Sequence, residues 1–474
     1  MVPERLLPMI DETKEVAERF VDANRSLYLV GGTVRDAIAG RPGDGFDTSD
    51  GSGEADRVDI DMTTDATPDE IESIIRSISD SLWTQGKRFG TIGFFSRGRR
   101  YEITTHRAES YELDSRKPDV AFGHDIVVDL SRRDFTVNAM ALKIPTLELF
   151  DPFDGIADLG NRRLRTPRNP LESFRDDPLR MLRAARFHAG YDLEPDAALI
   201  DAVKRLHGRL AIVSAERIRD ELDKIIVLPN PEKALWFIVK TGLGGEFLPE
   251  IGALELEQDP IHRHKDVLAH TIAVVCRTRS DRLLRLSALF HDIGKPKTRA
   301  FGENGVSFHH HEVVGARMAR KRMSVLRYST DDIDEVVRLV ELHLRFHTYR
   351  MGWTDSALRR YARDAGPLLG KLNELTRADC TTRNERKVKE LSDAMDELER
   401  RLVELNEREA LDSIRPELDG EQVMKRLGLE PGRDVGRALA FLLELRLEEG
   451  LIGDEEVARR LDAWWEDQSR ETSG

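Results

Sequence analysis

The sequence predicts an α/β first half followed by an all-α second half. Early in the chain, a short apolar run passes through two glycines into a segment with helical spacing, and a β-branched run follows it. In the second half, His and Asp recur at helix-scale intervals within predominantly helical sequence. With 474 residues, the chain is long enough for roughly three domains.

Composition limits the classes of function. The net charge of −14 disfavours non-specific coating of nucleic acid, so any RNA contact must be a local basic patch. Two cysteines are too few for a disulfide framework or a thiolate metal site, which is typical of a reducing compartment. The chain has no apolar run long enough to span a membrane, and its start reads as an amphipathic helix. We therefore expect a cytoplasmic protein without a membrane partner.

A basic patch lies between residues 161 and 190. This segment contains eight arginines against three acidic residues. Arg180, Arg183 and Arg186 fall at i, i+3 and i+6, a spacing that predicts a basic stripe on one helix. A solvated helix face is the alternative interpretation. The acidic residues are concentrated elsewhere, notably in the loop of residues 41–57 and after Arg386.

Two carboxylates lie close together in the run DRVDIDMTTD, residues 56–65. Side chains alternate along a strand, so Asp59 and Asp61 point to one face, and Ile60 and Met62 to the other. Neighbouring carboxylates repel unless a cation lies between them, which suggests a divalent-metal site. A lone pair of this kind is also typical of an exposed edge strand, so its surroundings must decide between the two.

A glycine turn precedes these carboxylates. In LYLVGGTVRDAIAG, residues 27–40, a strand runs through Gly31-Gly32 into a helix, which allows close approach of a phosphate to backbone N–H groups. Arg35 adds a charged fork in the first turn. Metal-assisted nucleotidyl transfer needs both a phosphate cradle and a metal clamp. The glycine-, aspartate- and serine-rich residues 41–57 between them read as a mobile loop.

Further segments extend this α/β region. Residues 99–107 alternate like a strand and bring Glu102 into the same sheet. In residues 129–143, Arg132 and Arg133 precede a helix-like segment. Residues 151–167 read as a turn and short connector that leads into a helix over 174–193.

Five motifs in order resemble the bacterial tRNA nucleotidyltransferase and poly(A) polymerase family, the class II CCA-adding enzymes. They are LVGGTVRD, DIDMTT, RRDFTVNAMAL, DPFDG and RDDPLRMLRAARF. The resemblance covers roughly residues 27–250. It implies a polymerase-β-like α/β nucleotidyltransferase head followed by an all-α neck and body. One departure is Asp176, which stands where the family usually has Glu before the aspartate that is Asp177 here.

The resemblance also implies roles for individual residues. Catalytic Mg²⁺ would be held by Asp59 and Asp61. Gly32 and Arg35 would contact the nucleotide phosphates, and Arg133 would be a further nucleotide-binding residue. Asp177 and Arg180, three residues apart on a helix, would read the base edge without a nucleic-acid template. Arg183 and Arg186 would support that helix or bind phosphate.

Three other residues of the first half have less specific signals. Glu102 is either a third metal carboxylate or a structural strand residue. Glu216 and Arg217, in the neck-like SAERIRDEL of residues 214–222, are expected to be structural rather than catalytic.

The second half carries a different set of chemically active residues. The segments HRHKDVLAHT, ALFHDIGKP, FHHHEVVGA, LVELHLRFH and LTRADC space imidazoles and carboxylates across helices. This donor set suits Mn²⁺, Fe²⁺, Ni²⁺, Co²⁺ or Mg²⁺ rather than structural Zn²⁺. The pattern resembles the HD superfamily of metal-dependent phosphohydrolases, which implies the ligands His270, His291, Asp292, His311, His343 and Asp379. His264 competes with His270, and His309 or His310 with His311.

Four segments follow from these assignments. They are a nucleotidyltransferase head over 1–165, a helical neck and body over 166–255, an HD domain over 256–385 and a helical tail over 386–474. The reaction we expect is addition of C, C and A to the 3′ end of tRNA from CTP and ATP.

Other functions stay open at this stage. A poly(A) polymerase or a partial A- or CC-adding enzyme would have the same motifs. A different class of function is a phosphohydrolase or phosphodiesterase centred on the HD domain with a head that only binds RNA, or a non-catalytic RNA-binding protein. The presence of Asp59, Asp61 and Arg133 disfavours the last two. DNA is not an expected partner, and the sequence leaves the oligomeric state open.

Overall fold

The computed structural model describes residues 6–40, 60–106, 123–256, 266–302, 305–346, 352–380, 385–409 and 414–471. Asp59, His264 and the predicted loop of residues 41–57 lie outside these ranges. The chain forms two compact units. Unit 1 comprises Met1–Ala253 with Ser324–Tyr328, and unit 2 comprises Leu254–Met323 with Ser329–Gly474.

Unit 1 is built on a seven-stranded mixed sheet with the order β3-β4-β5-β2-β1-β6-β7. The strands β2 and β5 run parallel, and the other neighbouring pairs run antiparallel. The strands are β1 (Leu27–Val30), β2 (Ile60–Thr64), β3 (Ser81–Trp83), β4 (Thr91–Ser96), β5 (Arg99–Thr105), β6 (Ala141–Ile144) and β7 (Glu148–Phe150). The helices of this region are α1 (Leu7–Asp22), α2 (Gly32–Ala39), α3 (Pro68–Ile75), α4 (Ile126–Ser131) and α5 (Gly155–Gly160).

Local sequence explains most of these elements. All four residues of β1 are buried, and α2 begins immediately after Gly31, whose φ of +66° is readily adopted by glycine. Helix α3 begins with a capping box in which the Thr67 side chain accepts from the Glu70 N–H and Glu70 returns the contact. The core below the sheet includes Phe20 of α1, so the predicted amphipathic N-terminal helix is present and packed.

Two segments of the head differ from the sequence expectation. Arg132 and Arg133 follow helix α4 instead of preceding a helix, and a short 3₁₀ turn at Thr136–Asn138 leads into strand β6. The run after Asn138 is buried on both faces and pairs with β1, so tertiary pairing overrides its helix-like pattern. The expected connector of residues 151–167 contains helix α5 and strand β8 (Arg163–Leu164).

The remainder of unit 1 is helical, apart from the parallel pair of β8 with β9 (Glu194–Pro195). Its helices are α6 (Pro170–Asp176), α7 (Arg180–Gly190), α8 (Ala197–Leu206), α9 (Ala215–Ile226), α10 (Glu232–Lys240), α11 (Gly244–Phe247) and α12 (Pro249–Gly252). The single helix expected over 174–193 is therefore two helices. Pro178 lacks an N–H and holds Asp177 in an extended conformation, which ends α6.

Unit 2 is helical with one short hairpin of β10 (Arg299–Gly302) and β11 (Gly305–Phe308). The helices before the tail are α13 (Val267–Arg277), α14 (Arg282–Phe290), α15 (Lys295–Thr298), α16 (His311–Val325), α17 (Thr330–Leu342), α18 (Asp355–Ala365) and α19 (Leu369–Asp379). The tail contains α20 (Glu385–Glu409), α21 (Gly420–Leu427), α22 (Arg433–Glu449) and α23 (Asp454–Glu471). Among the described residues, no helix combines the length and the apolar character that a membrane span requires.

Candidate functional site

A cleft of about 360 Å³ opens beside the head sheet of unit 1. Carboxylates and arginines dominate its walls. The described residues that line it are Val30, Asp61, Met62, Thr91, Glu102, Thr104, Asp129, Arg132, Arg133 and Arg180. A concave site that holds acidic and basic groups together suits a ligand carrying both a cation and phosphate groups.

The acidic wall comes from two parallel strands. Asp61 of β2 is exposed between the buried Ile60 and Met62, as the predicted alternation requires. Parallel register pairs Asp61 with Glu102 of β5, so both carboxylates lie on the same face of the sheet and both line the cleft. The predicted placement of Glu102 in this sheet is confirmed. These oxygen donors fit a hard divalent cation such as Mg²⁺.

The glycine turn lies against both walls. A Cβ at Gly31 would be 3.8 Å from Asp61 Oδ2 and 3.3 Å from Arg133 Nη1, so only a glycine leaves this space open. The turn therefore brings the Asp61 carboxylate, the end of β1 and the Arg133 guanidinium into one place.

The basic wall is held by a buried carboxylate. Asp129 accepts from Arg132 at 3.0 Å and lies 3.4 Å from Arg133. Burial alone would raise the pKa of Asp129, but the two guanidinium groups outweigh it and lower this pKa. The buried Nε of Arg133 makes no hydrogen bond within the described parts of the chain. Arg133 thus retains donor capacity toward a phosphate oxygen.

Arg35 does not line this cleft. Its guanidinium is 1% exposed and donates to Asp36 at 2.8 and 2.9 Å, to Asn138 Oδ1 at 2.6 Å and to the Tyr191 hydroxyl. It also stacks on the Tyr191 ring at 4.2 Å. A direct phosphate contact by Gly32 and Arg35 stays a prediction, and the contacts in this structure are those of a side chain that positions helix α2.

A buried polar chain links this helix to α7. Asn138 accepts from Arg35 through its oxygen and donates through its nitrogen to Asp134 Oδ1 at 2.9 Å. Asp134 Oδ2 in turn accepts from Arg183 Nε at 2.9 Å. Burial would raise the pKa of Asp134, but Arg183 and the Asn138 hydrogen bond lower it. Sequence reasoning missed Asn138 and Tyr191, because neither has a local pattern that distinguishes it from a core residue.

The predicted basic stripe is not solvated. Arg186 is 1% exposed and forms an ion pair with the buried Glu221 of α9 at 2.5 Å. Arg180 donates to Ser173 Oγ at 2.8 Å and to the Arg132 carbonyl at 2.6 Å, which holds it at the wall of the cleft. Of these arginines, Arg180 lines the cleft, while Arg183 and Arg186 have the supporting contacts described above.

Asp177 and Arg180 do not lie on one helix, which corrects that part of the expectation. Asp177 occupies the position after α6, where its Oδ1 accepts from the Leu179 N–H at 3.1 Å. Its Oδ2 accepts from Arg217 Nη2 at 3.1 Å. Arg217 is therefore a contact of the predicted base-reading carboxylate. The sequence signal for this role was its place in the SAERIRDEL motif.

A second cluster lies within unit 2, where residues in or at the ends of five helices contribute imidazoles and carboxylates. His270 Nε2 lies 2.9 Å from Asp379 Oδ1, 3.3 Å from His291 Nε2 and 3.6 Å from Asp292 Oδ2. His291 Nε2 is 3.2 Å from Asp292 Oδ2. The structure thus brings together four of the six predicted ligands around one point.

The two other predicted ligands point at the same place. His311 Nε2 lies 3.3 Å from Asp292 Oδ1, and ligand atoms of Asp292, His311 and His343 all lie within 4.8 Å of one another. In His291, His311 and His343, Nδ1 lies 2.6–2.8 Å from a backbone carbonyl three residues earlier. An Nδ1–H that donates to a carbonyl leaves Nε2 as a lone-pair donor, as in histidines that bind metals.

The charges of this cluster also indicate a cation site. Burial would lower the pKa of His291, but Asp292 and Asp379 raise it to about 10, so the two carboxylates stabilise positive charge at this point of the cluster. Burial and the charge on His291 lower the pKa of His343 to about 3. The Nε2 atoms of His311 and His343 are buried and have no hydrogen-bond partner among the residues described. Buried lone pairs of this kind fit a divalent metal.

The competing histidines are located differently. His309 and His310 are exposed, and His310 lies 3.8 Å from Glu312 on the surface. His311, not these two, belongs to the cluster. Sequence reasoning missed Lys295, whose Nζ lies 2.6 Å from Asp292 Oδ2. Its position three residues after Asp292 in HDIGK was the available signal.

Comparison with family models divides the chain in the same order. Residues 27–165 match the poly A polymerase head domain, residues 190–254 the probable RNA and SrmB-binding site of polymerase A, and residues 266–401 the HD domain.

Curated relatives match the first half of the chain. A CCA-adding enzyme of Limosilactobacillus reuteri (strain DSM 20016) is 38% identical over 240 residues, which is 50% of this chain and 55% of that protein. One from Staphylococcus aureus (strain bovine RF122 / ET3-1) is 36% identical over 251 residues, 53% of this chain and 58% of that protein. The matches thus span little more than half the length of these curated relatives.

Solved structures share the fold over nearly the whole chain. The Bacillus stearothermophilus CCA-adding enzyme in complex with CTP has a TM-score of 0.68 at 21% identity, covering 98% of this chain and 99% of that one. The Thermotoga maritima CCA-adding enzyme complexed with tRNA_CCA has a TM-score of 0.59 at 19% identity, covering 98% and 97%. The predicted fold class is confirmed.

The fold and the cleft define a protein with a nucleotidyltransferase-type head, a helical body and an HD domain. More specifically, the first half of the chain is similar to CCA-adding enzymes, and the segment that matches the HD domain follows, in sequence, the segment that matches the probable RNA and SrmB-binding site of polymerase A. The resemblance identified from the five motifs is therefore confirmed.

Proposed function

We propose that this protein adds C, C and A to the 3′ end of tRNA, using CTP and ATP and no nucleic-acid template. The observation that carries the proposal is the head cleft, where Asp61 and Glu102 face a wall of Arg132, Arg133 and Arg180. The similarity of the first half to CCA-adding enzymes supports the substrate assignment. Its expected compartment is the cytoplasm.

Asp59 and Asp61 would hold Mg²⁺ at the acidic wall, with Glu102 available as a further oxygen donor. Bound Mg²⁺ would supply charge neutralisation for the triphosphate and activation of the RNA 3′-hydroxyl. Arg133 would hold a phosphate oxygen through donors that Asp129 leaves free. Helix α2 would present its first N–H groups across the open space at Gly31, and Arg35 would fix the orientation of that helix.

Base selection would rest on Asp177 and Arg180. Cytosine and adenine both present an amino donor beside a ring-nitrogen acceptor, which a carboxylate and a guanidinium match. Uracil and guanine reverse this edge, and each unpaired buried group costs about 1–3 kcal/mol. Arg217 holds the carboxylate of Asp177, and the Ser173 hydroxyl and the Arg132 carbonyl hold Arg180, so both groups are oriented in advance.

The direct test supplies tRNA that lacks its 3′ CCA with each labelled nucleotide separately and with CTP and ATP together. We expect C incorporation from CTP alone and completion when ATP is added. Asp61→Ala should abolish incorporation in Mg²⁺ but leave most of the tRNA affinity, because phosphate contacts along the body supply much of it. Asp69→Ala is a matched control, since this exposed acid of α3 lies outside the cleft.

Three outcomes distinguish the rivals. Addition of A alone in long tails identifies a poly(A) polymerase. Arrest after CC when ATP is present, or activity restricted to ends that already carry CC, identifies a partial adding enzyme. Undiminished incorporation by Asp61→Ala would contradict the metal assignment. Asp177→Ala should relax the exclusion of UTP and GTP, whereas Asp176→Ala, whose carboxylate pairs with Arg168, should keep it.

A second function is favoured by the cluster in unit 2. The buried Nε2 atoms of His311 and His343 point to a divalent metal held with His270, His291, Asp292 and Asp379. Such a site would hydrolyse phosphoesters, and Lys295 would hold a phosphate oxygen beside Asp292.

The two functions can be separated with one variant. His291→Ala combined with Asp292→Ala should remove metal-dependent phosphatase or phosphodiesterase activity and preserve nucleotide addition, because the two clusters lie in different units. If this change stopped nucleotide addition in a protein of unchanged circular dichroism, the two-site assignment would be wrong.

A further inference from the structure

The hairpin of β10 and β11 connects two segments that contribute to the cluster of His and Asp side chains in unit 2. It begins directly after Lys295–Thr298, the helix whose first residue contacts Asp292, and it ends three residues before His311. The Phe308 carbonyl at its end accepts from His311 Nδ1 at 2.8 Å. The base of the hairpin is therefore fixed to the cluster.

One face of the hairpin carries alternating cationic and aromatic groups. Arg299 pairs with Phe308 across the strands, and Phe301 pairs with Val306. Paired residues of an antiparallel ladder share a face, and residues two apart on one strand also share it. Lys295 Nζ lies 5.7 Å from the centre of the Phe308 ring. We call Lys295, Phe308, Arg299 and Phe301 the hairpin strip.

The outer end of the strip is open to solvent. The Arg299 guanidinium lies 4.9 Å from the centre of the Phe301 ring. Phe301 is 71% exposed, the largest value among the exposed large apolar side chains of the described residues. Arginine and aromatic side chains interleaved along a surface are the groups on which the bases of single-stranded nucleic acid stack.

We propose that the hairpin strip binds a nucleoside monophosphate unit, with the phosphate at Lys295 beside the metal cluster and the base stacked on Phe301. Lys295 lies against Phe308, which is opposite Arg299, and Phe301 is two residues, about 7 Å, further along the strand. This separation along the strand is comparable to the distance from phosphate to base within one nucleotide. The strip thus selects nucleotides among the phosphoesters that the cluster would hydrolyse. This inference rests on the hydrolase assignment for the cluster but is tested separately from it.

Photo-crosslinking with 8-azidoadenosine monophosphate tests binding without requiring turnover. The full chain is irradiated with this probe in Mg²⁺ or Mn²⁺, and the adducts are mapped by peptide mass spectrometry. We expect an adduct within Arg299–Gly302 that is lost in Phe301→Ala and kept in Phe301→Trp. Adducts in the head serve as an internal positive control, and adducts in the head alone would overturn the proposal.

A matched substitution controls for the loss of an exposed aromatic residue. Phe89, 40% exposed, also carries an arginine over its ring, since Arg88 lies 4.4 Å from its centre. Phe89→Ala should leave the hairpin adduct unchanged. An RNA oligonucleotide with a terminal phosphate is used as a competitor, and it reports whether the strip recognises a nucleoside monophosphate at the end of an RNA chain. Competition by free adenosine monophosphate alone assigns the site to free nucleotides.

Hydrolysis gives a second readout. Phe301→Ala should raise the KM for nucleoside monophosphates roughly 5-fold to 100-fold, as loss of one base stack does, and leave the KM for ribose 5-phosphate unchanged. Equal effects on both substrates, or none, would refute the stacking role. If neither substrate is hydrolysed by the wild-type chain, the hydrolase assignment fails, and the crosslink alone decides whether the strip binds nucleotides.

Discussion

Asn138 connects two charged side chains, one that can only donate hydrogen bonds and one that can only accept them. Its amide oxygen accepts from Arg35 Nη1 at 2.6 Å, and its amide nitrogen donates to Asp134 Oδ1 at 2.9 Å. An arginine can only donate and an ionised aspartate can only accept, so a carboxamide is the side chain that serves both. Asn138→Asp keeps the shape and the contact to Arg35 but places a second carboxylate against Asp134.

The cost of this change depends on pH. The new carboxyl group must either remain protonated or face Asp134 as a like charge, which raises its pKa in the folded state. Keeping an ordinary carboxyl protonated costs about 4 kcal/mol at pH 7 and about 1.4 kcal/mol less for each lower pH unit. This cost is the upper limit of the destabilisation that Asn138→Asp can cause. A raised folded pKa means that stability is retained in acid and lost as the pH rises above about 4.

Hydrogen exchange on the full chain measures this locally. At pH 8, amides of α2 and α7 in Asn138→Asp should lose protection relative to the wild type by up to about ten-thousandfold, and at pH 5 by about tenfold at most. Asn169→Asp is the control, because Asn169 caps α6 only as an acceptor from the Leu171 N–H, and aspartate caps equally well. Equal protection of Asn138→Asp and wild type at pH 8, or a loss of the same size at both pH values, would refute the reasoning.

Three further outcomes are expected. Gly31→Ala should lower kcat/KM for nucleotide addition at least tenfold, since a Cβ would lie 3.3 Å from Arg133 Nη1 at a φ of +66°. Gly160→Ala should leave kcat/KM unchanged, because a Cβ at Gly160 would meet only open space. Steady-state kinetics of the two variants tests this difference. His343→Ala should reduce the bound divalent metal per chain, measured by elemental analysis, and leave nucleotide addition intact. Glu409→Gln removes the charge shared by two buried arginines, at 2.9 and 2.7 Å, and should destabilise α22 by about 3 kcal/mol. Unchanged exchange protection of α22 would contradict this.

Local sequence determined much of the fold and of the candidate site. The strand, glycine turn and helix at residues 27–39 follow from patterns within a few residues, as does the alternation around Asp61. The imidazoles of the unit 2 cluster were also predictable, because each lies in a helix or directly at its end, within a motif that gives its place. The comparisons confirmed the resemblance to CCA-adding enzymes with an HD domain that these ordered motifs indicated.

Contacts between distant residues were decided by the tertiary structure. Asp61 faces Glu102 because β2 and β5 run parallel in one register, and residue type alone does not specify a register. Arg35 looked like an accessible phosphate ligand, yet Asn138 and Tyr191, 103 and 156 residues away, bury and bind it.

The helix break between Asp177 and Arg180 also separates what local sequence determines from what tertiary contacts determine. Pro178 is visible in the sequence and ends the helix for a local reason, but the partner that holds Asp177 is Arg217, 40 residues further along the chain. Likewise, the sequence supplies three adjacent histidines, and the fold selects His311 because helix α16 begins there and turns this side chain inward. Local hydrogen bonding and hydrophobic periodicity are determined by short segments of sequence, whereas the distant residue that each side chain contacts depends on how those segments pack.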